Sequence, residues 1–236
     1  MNDKLLIIGP PNSNKFTLLQ KIFQSIPKIP KSQSHQGLIH PILLETKHYS
    51  TKIDIWIDEY SSMKEWSEGF MSDEAREVRE VINGIIWCFK FDQGFIQIEN
   101  ELKEFMKLIE CFRDDNEGEW GGMIVAMGKG EIEEDERLKY EDLFIINGIE
   151  FIDSSQEGRN EFNELQGFSR VREIIECHDW DIQDMKEATE NSNIGADGFE
   201  IDDILNKLEG AKQDVLELPD DEKHEYIMKF IENLNL

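Results

Sequence analysis

Short apolar runs alternate with stretches of 3.6-residue periodicity through the first 180 positions, and that alternation predicts strands and helices in turn. Leu5 to Ile8 reads as a strand ended by Gly9, and Phe16, Leu19, Ile22, Phe23 and Ile26 share one face of a following helix. A loop over 28–37 holds Pro30 and Gly37. It leads to two strands, 38–45 and 52–57, whose short connection near 48–51 suits an antiparallel hairpin. A helical stretch with Met63, Trp66, Phe70, Ala75 and Val78 precedes a strand over 84–89, which makes that junction a parallel crossover. A helix over 95–112 carries the stripe Ile98, Leu102, Phe105, Met106, Ile109 and Phe112. Strands follow at 123–127 and 149–152, and Val171, Ile174 and Ile175 mark a closing helix. The expected fold is α/β, a three-layer sandwich around a mostly parallel six-stranded sheet.

The pattern changes near residue 181. Glu190, Asn191, Ser192, Asn193, Gly195, Asp197 and Gly198 offer little to bury, so 181–199 reads as a polar linker between a domain over 1–180 and a region over 200–236. In that last region Ile201, Ile204, Leu205, Leu208, Ala211 and Val215 recur at helical intervals. Pro219 with Asp220, Asp221 and Glu222 then starts a second helix bearing Ile227, Phe230, Ile231 and Leu234. Each helix has one apolar stripe that needs a neighbour: the domain, its twin or a partner.

Charge narrows the function classes. The 236 residues carry 25 Lys plus Arg against 51 Asp plus Glu, a net of −26. Such a chain repels phosphate backbones and anionic headgroups, so nucleic-acid binding is not expected. The acidity is uneven: residues 1–50 hold six Lys against Asp3 and Glu45, a net of +4, while 181–236 hold five Lys against sixteen acids, a net of −11. No apolar run reaches the roughly 18 to 20 residues of a membrane span, and no signal-peptide pattern opens the chain. The expectation is a cytoplasmic protein without membrane insertion. Cys88, Cys111 and Cys177 are far apart and suggest neither a disulfide framework nor a zinc site.

Candidate chemistry centres on the turn after the first strand. Gly9-Pro10-Pro11-Asn12-Ser13-Asn14-Lys15-Phe16-Thr17 stands where G-x-x-x-x-G-K-[ST] would cradle phosphates. Gly9 and Lys15 keep the spacing. Asn14 replaces the second glycine, Phe16 replaces the magnesium-binding hydroxyl, and Thr17 comes one position too late to stand in for it. Pro10 and Pro11 each delete a backbone N–H. Asn tolerates positive φ, so the turn can survive a loss of binding. Asp58-Glu59-Tyr60-Ser61 falls where a GTPase has D-x-x-G, with Ser61 in place of the glycine. Gly128-Lys129-Gly130-Glu131 falls where N-K-x-D would read guanine, leaving only Lys129 and the longer acid Glu131. A degenerate, non-catalytic phosphate loop is the reading these residues favour. A divergent small GTPase that still takes GTP and magnesium is the alternative.

Three segments carry a family resemblance: Asp54-Ile-Trp-Ile-Asp58, the acidic run Glu131 to Glu136, and Arg170-Val-Arg-Glu-Ile-Ile-Glu-Cys-His-Asp-Trp180. Through them the whole chain resembles the alpha- and gamma-adaptin-binding protein family in its fungal branch. The resemblance implies a Rab-like small-GTPase fold, a pseudo-GTPase with no required cofactor, and binding to clathrin adaptor complex subunits whose assembly it regulates or chaperones. It also implies a link to a Rab GTPase and favours a partner or homo-oligomer role for the C-terminal helices. Trp120 and Trp180, near element ends, join Ile227, Phe230 and Ile231 as candidate partner-binding residues. Cys177-His178-Asp179 holds the residue types of thiol catalysis, but helical neighbours point about 100° apart, which favours a plain helix end. Glu131 to Glu136 lacks the spacing of a calcium loop, so no metal is assigned.

Overall fold

Alternation along the first strand sets the plan of the molecule: Leu6 and Ile8 face one side of the sheet, Leu5 and Ile7 the other, and all four are fully buried. A computed structural model describes residues 3–27, 37–116, 118 and 120–180 with the backbone of 184–185. The strands are β1 (Asp3–Ile8), β2 (Leu38–Glu45), β3 (Tyr49–Ile57), β4 (Ile82–Lys90), β5 (Met123–Lys129), β6 (Glu150–Asp153) and β7 (Asp184–Met185). The helices are α1 (Lys15–Phe23), α2 (Met63–Met71), the single turn α3 (Arg76–Arg79), α4 (Phe95–Asp115), α5 (Glu134–Ile146) and α6 (Gly167–Cys177). The sheet runs β2, β3, β1, β4, β5, β6. Only the β2–β3 hairpin in that row is antiparallel; its other pairs are parallel.

Two apolar layers hold the helices to the sheet. On one face Leu18, Leu19 and Ile22 of α1 and Val171 and Ile175 of α6 meet Ile53, Ile55, Ile57 and Ile86. On the other, α2, α4 and α5 cover Trp87 and Phe89, with Phe105 and Phe144 packed at ring-centroid distances of 5.3 and 5.7 Å from Trp87. The three-layer expectation and the mostly parallel sheet are both met.

Three differences from the expected elements have physical causes. The helical stretch expected from Met63 to Val78 breaks at Ser72, which is extended. The buried Arg79 guanidinium there donates to the Phe70 and Ser72 carbonyls and to Asp115, capping the open end of α2 from outside. The acidic run Glu131 to Glu136 leads into α5, whose first turn holds Glu134, Asp135 and Glu136, where carboxylates suit the positive end of the helix dipole. The span expected as a linker, 181–199, contains β7, which pairs antiparallel with Tyr49 and Ser50. Contacts divide the chain into Met1–Glu187 and Ala188–Leu236. The second unit lies outside the described residues, and with it the expected helices of 200–236 and the candidates Ile227, Phe230 and Ile231.

Candidate functional site

Parallel strands end together, so the loops after β1, β3, β4, β5 and β6 gather at one edge of the sheet, where ligands of open α/β sheets bind. The loop after β1 keeps the shape of a phosphate loop. Gly9 passes so close to β4 that an added Cβ would lie 2.2 Å from the Cys88 carbonyl oxygen and 2.4 Å from Ser13 Oγ. Only glycine fits that approach. Asn14 takes the left-handed conformation, φ 71°, that the missing second glycine would have supplied, and its amide donates to Ser154 Oγ at 3.2 Å.

Lys15 is aimed inward and its ammonium is fully engaged. The residue is 3% exposed. Nζ donates to the Gly9 and Pro10 carbonyls, both at 2.7 Å, to Glu59 Oε2 at 3.2 Å and to Ser13 Oγ at 3.4 Å. Burial pulls its pKa below the ordinary lysine value, and Glu59 opposes that pull. Phe16 is partly buried against the α1–α6 layer and presents no hydroxyl, while Thr17 is exposed. A cleft of ≈ 210 Å³ remains, with Ser13, Asn14, Thr17, Glu59 and Lys129 among its lining residues.

The loop after β3 is tied down by its own side chains. Asp58, 5% exposed, accepts from the Trp66 indole N–H at 2.8 Å, from the Gly37 amide at 3.2 Å and from the Glu59 amide at 2.9 Å. Ser61 is exposed and precedes Ser62, whose hydroxyl accepts from the Glu65 amide and caps α2. Beneath it Tyr60 donates to Glu101 at 2.8 Å and accepts from the Trp87 indole at 2.8 Å. Its burial, helped by Glu101, raises the phenol pKa well above the ordinary value.

After β5, Lys129 Nζ donates to the Asn12 carbonyl at 2.8 Å, bracing the loop that follows β1, and Glu131 is exposed. Gly128 lies against the Phe91 ring, 2.3 Å from where a Cβ would stand. Asp153, at the end of β6, spends one carboxylate oxygen on the amide and hydroxyl of Ser155. The structure thus brings Gly9, Asn14, Lys15, Asp58 and Lys129 to one edge and adds Glu59, which the motif frame treats as a variable position.

The tryptophans separate. Trp180 is 2% exposed, with its indole N–H on the Ile175 carbonyl at 2.7 Å, so it closes the α6 layer and is not available as the partner anchor expected from sequence. Trp120 is partly buried, donates to the Ile82 carbonyl at 3.0 Å and packs on Phe112 at 4.9 Å. α6 ends at Cys177, which is exposed, with His178 as its C-cap. Among the described residues no group of three His, Cys, Asp or Glu is placed to hold a metal ion, and no helix is long and apolar enough to cross a membrane.

Comparison with known proteins places this scaffold. No protein-family model matches the chain. A Candida albicans protein named increased recombination centers protein 6 is 32% identical over 269 residues, covering 98% of this chain and 97% of its own. The Kluyveromyces lactis protein of that name is 25% identical over 247 residues, covering 99% and 97%. The crystal structure of yeast Irc6p, described as a novel type of conserved clathrin accessory protein, superposes with a TM-score of 0.58 at 22% identity, covering 78% of this chain and 97% of that one. By identity and coverage together, the chain belongs to the increased recombination centers protein 6 family.

Proposed function

We propose that this protein is a clathrin accessory factor: a pseudo-GTPase that binds clathrin adaptor complex subunits and regulates or chaperones their assembly, without nucleotide chemistry of its own. One observation carries the reading. The lysine that would meet a triphosphate is buried and bonded to the Gly9 and Pro10 carbonyls and to Glu59. The surrounding residues do not fit magnesium and GTP. Phe16 stands where a hydroxyl would ligate the ion, Pro10 and Pro11 have no N–H to offer, and the ≈ 210 Å³ cleft is below the usual range of small-molecule sites, about 300 to 1,000 Å³. A main row of strands in which only β2 is antiparallel, with the loops at the C-terminal edge, is compatible with the Rab-like scaffold that the sequence resembles. The clathrin role rests on the family and on the description of yeast Irc6p.

Function then lies in surface recognition, with a Rab GTPase as a second partner and the 200–236 region as a candidate contact or self-association element. Immobilised full-length protein incubated with purified adaptor large and small subunits tests this directly. Saturable capture of an adaptor subunit is the expected result. Absence of capture for every subunit, from a folded sample, would remove the proposal.

A further inference from the structure

A buried lysine facing a carboxylate across a phosphate-loop turn raises the question of what the carboxylate replaces. The Lys15 side chain is 2% exposed and that of Glu59 is 19% exposed, so the cation lies inside the cleft and the anion closes its mouth. The turn keeps the close approach at Gly9 and the left-handed Asn14 of a phosphate loop, with its Gly9 and Pro10 carbonyls held by the ammonium. Lys129 sits on the rim as a second cation. The cleft, ≈ 210 Å³, has room for a tetrahedral oxyanion.

We propose that Glu59 is the resident anion of an oxyanion site, its carboxylate standing against Lys15 where a phosphate group would stand. The site keeps the capacity to take a single phosphate-sized anion once that carboxylate is neutralised. Two anions cannot share one ammonium at this distance without repulsion, so the unaltered chain excludes free phosphate. The same contact ties the loop after β3 to the turn before α1 with no external ligand. This inference rests on the reading of 9–17 as a phosphate loop without its ligand, and deepens it by naming the group that took the ligand's place.

Thermal unfolding of the full-length chain, Glu59→Gln and the double variant Lys15→Met with Glu59→Gln, in sodium phosphate and in sodium chloride of matched ionic strength, tests it. Glu59→Gln is expected to gain a phosphate-specific rise in midpoint, corresponding to affinity on the order of tenfold or more above the unaltered chain. The unaltered chain and the double variant are expected to show none. If Glu59→Gln fails to fold in chloride, native circular dichroism is expected to return in phosphate. The proposal is overturned if folded Glu59→Gln ignores phosphate, if phosphate does not rescue an unfolded one, or if the unaltered chain responds equally. Adaptor capture by the unaltered protein is read separately, so failure there leaves this result standing.

Discussion

Lys15 Nζ and Glu59 Oε2, 44 residues apart in the chain, meet at 3.2 Å across the cleft where β1 and β3 end. Their burial is unequal, and so are the expected costs of removing each. Lys15→Met takes away a charge that had to be desolvated and leaves Glu59 able to turn to water, but strips the Gly9 and Pro10 carbonyls of their donor, for a loss of about 1 to 2 kcal/mol. Glu59→Ala leaves a buried ammonium with only neutral acceptors and is expected to cost about 3 kcal/mol. Urea unfolding of the two variants checks the order, and a larger loss in Lys15→Met would contradict it.

Asp58 and Trp66 form the second tie. Trp66→Phe keeps the ring packing against Phe70, now at 4.5 Å, but removes the indole donor from a carboxylate that is 5% exposed. The expected loss is about 1.5 to 3 kcal/mol, in the range for a hydrogen bond to a charged group. Asp58→Asn should recover part of it in the Trp66→Phe background, because a neutral amide suffers less from the missing donor. Equal stability of the single and double variants would argue against that coupling.

Tyr140 runs the other way. It is fully buried among Phe89, Phe91 and Phe95, and its hydroxyl has no hydrogen-bond partner among the described residues. Tyr140→Phe removes an unsatisfied polar atom while keeping the ring, so stability should hold or rise by up to about 1 kcal/mol. A loss of that size in the denaturation midpoint would show that the hydroxyl is engaged.

Alkaline pH supplies a test with a defined sign. Burial pushes the Cys88 thiol from an ordinary 9.0 up to about 12, against a lowering pull from Lys15, and Tyr140 is pushed up to about 12 by burial and Glu136. The folded state therefore holds these protons after the unfolded chain has released them, and their contribution is lost as pH rises from about 9 toward 12. Lys15, whose pKa is lowered, works in the opposite direction over part of that range. Cys88→Ala should flatten the onset of the decline near pH 9 relative to the unaltered chain. Parallel pH profiles for the two proteins would be the contrary outcome.

How much of this was readable beforehand depended on local pattern. The ends expected for β2 match those observed at Leu38 and Glu45, and the stripe from Ile98 to Phe112 is the buried face of α4. α5 escaped because its apolar residues do not form one face: Tyr140 and Phe144 are buried, while Leu138, Ile145 and Ile146 are 47%, 66% and 82% exposed. Two-residue β7 has no periodicity to detect. In the site, spacing pointed to Gly9, Lys15 and Asp58, but Glu59 occupied a position where the motif specifies nothing. Its role arises from a contact across 44 residues, which no local pattern encodes.

The claim that the chain has exchanged a nucleotide for its own carboxylate is tested most directly by calorimetric titration of full-length protein with GTP and magnesium, beside Lys15→Ala. No saturable heat is expected from either protein. Saturable binding that disappears with Lys15 would contradict the claim and make the protein a GTP-binding one.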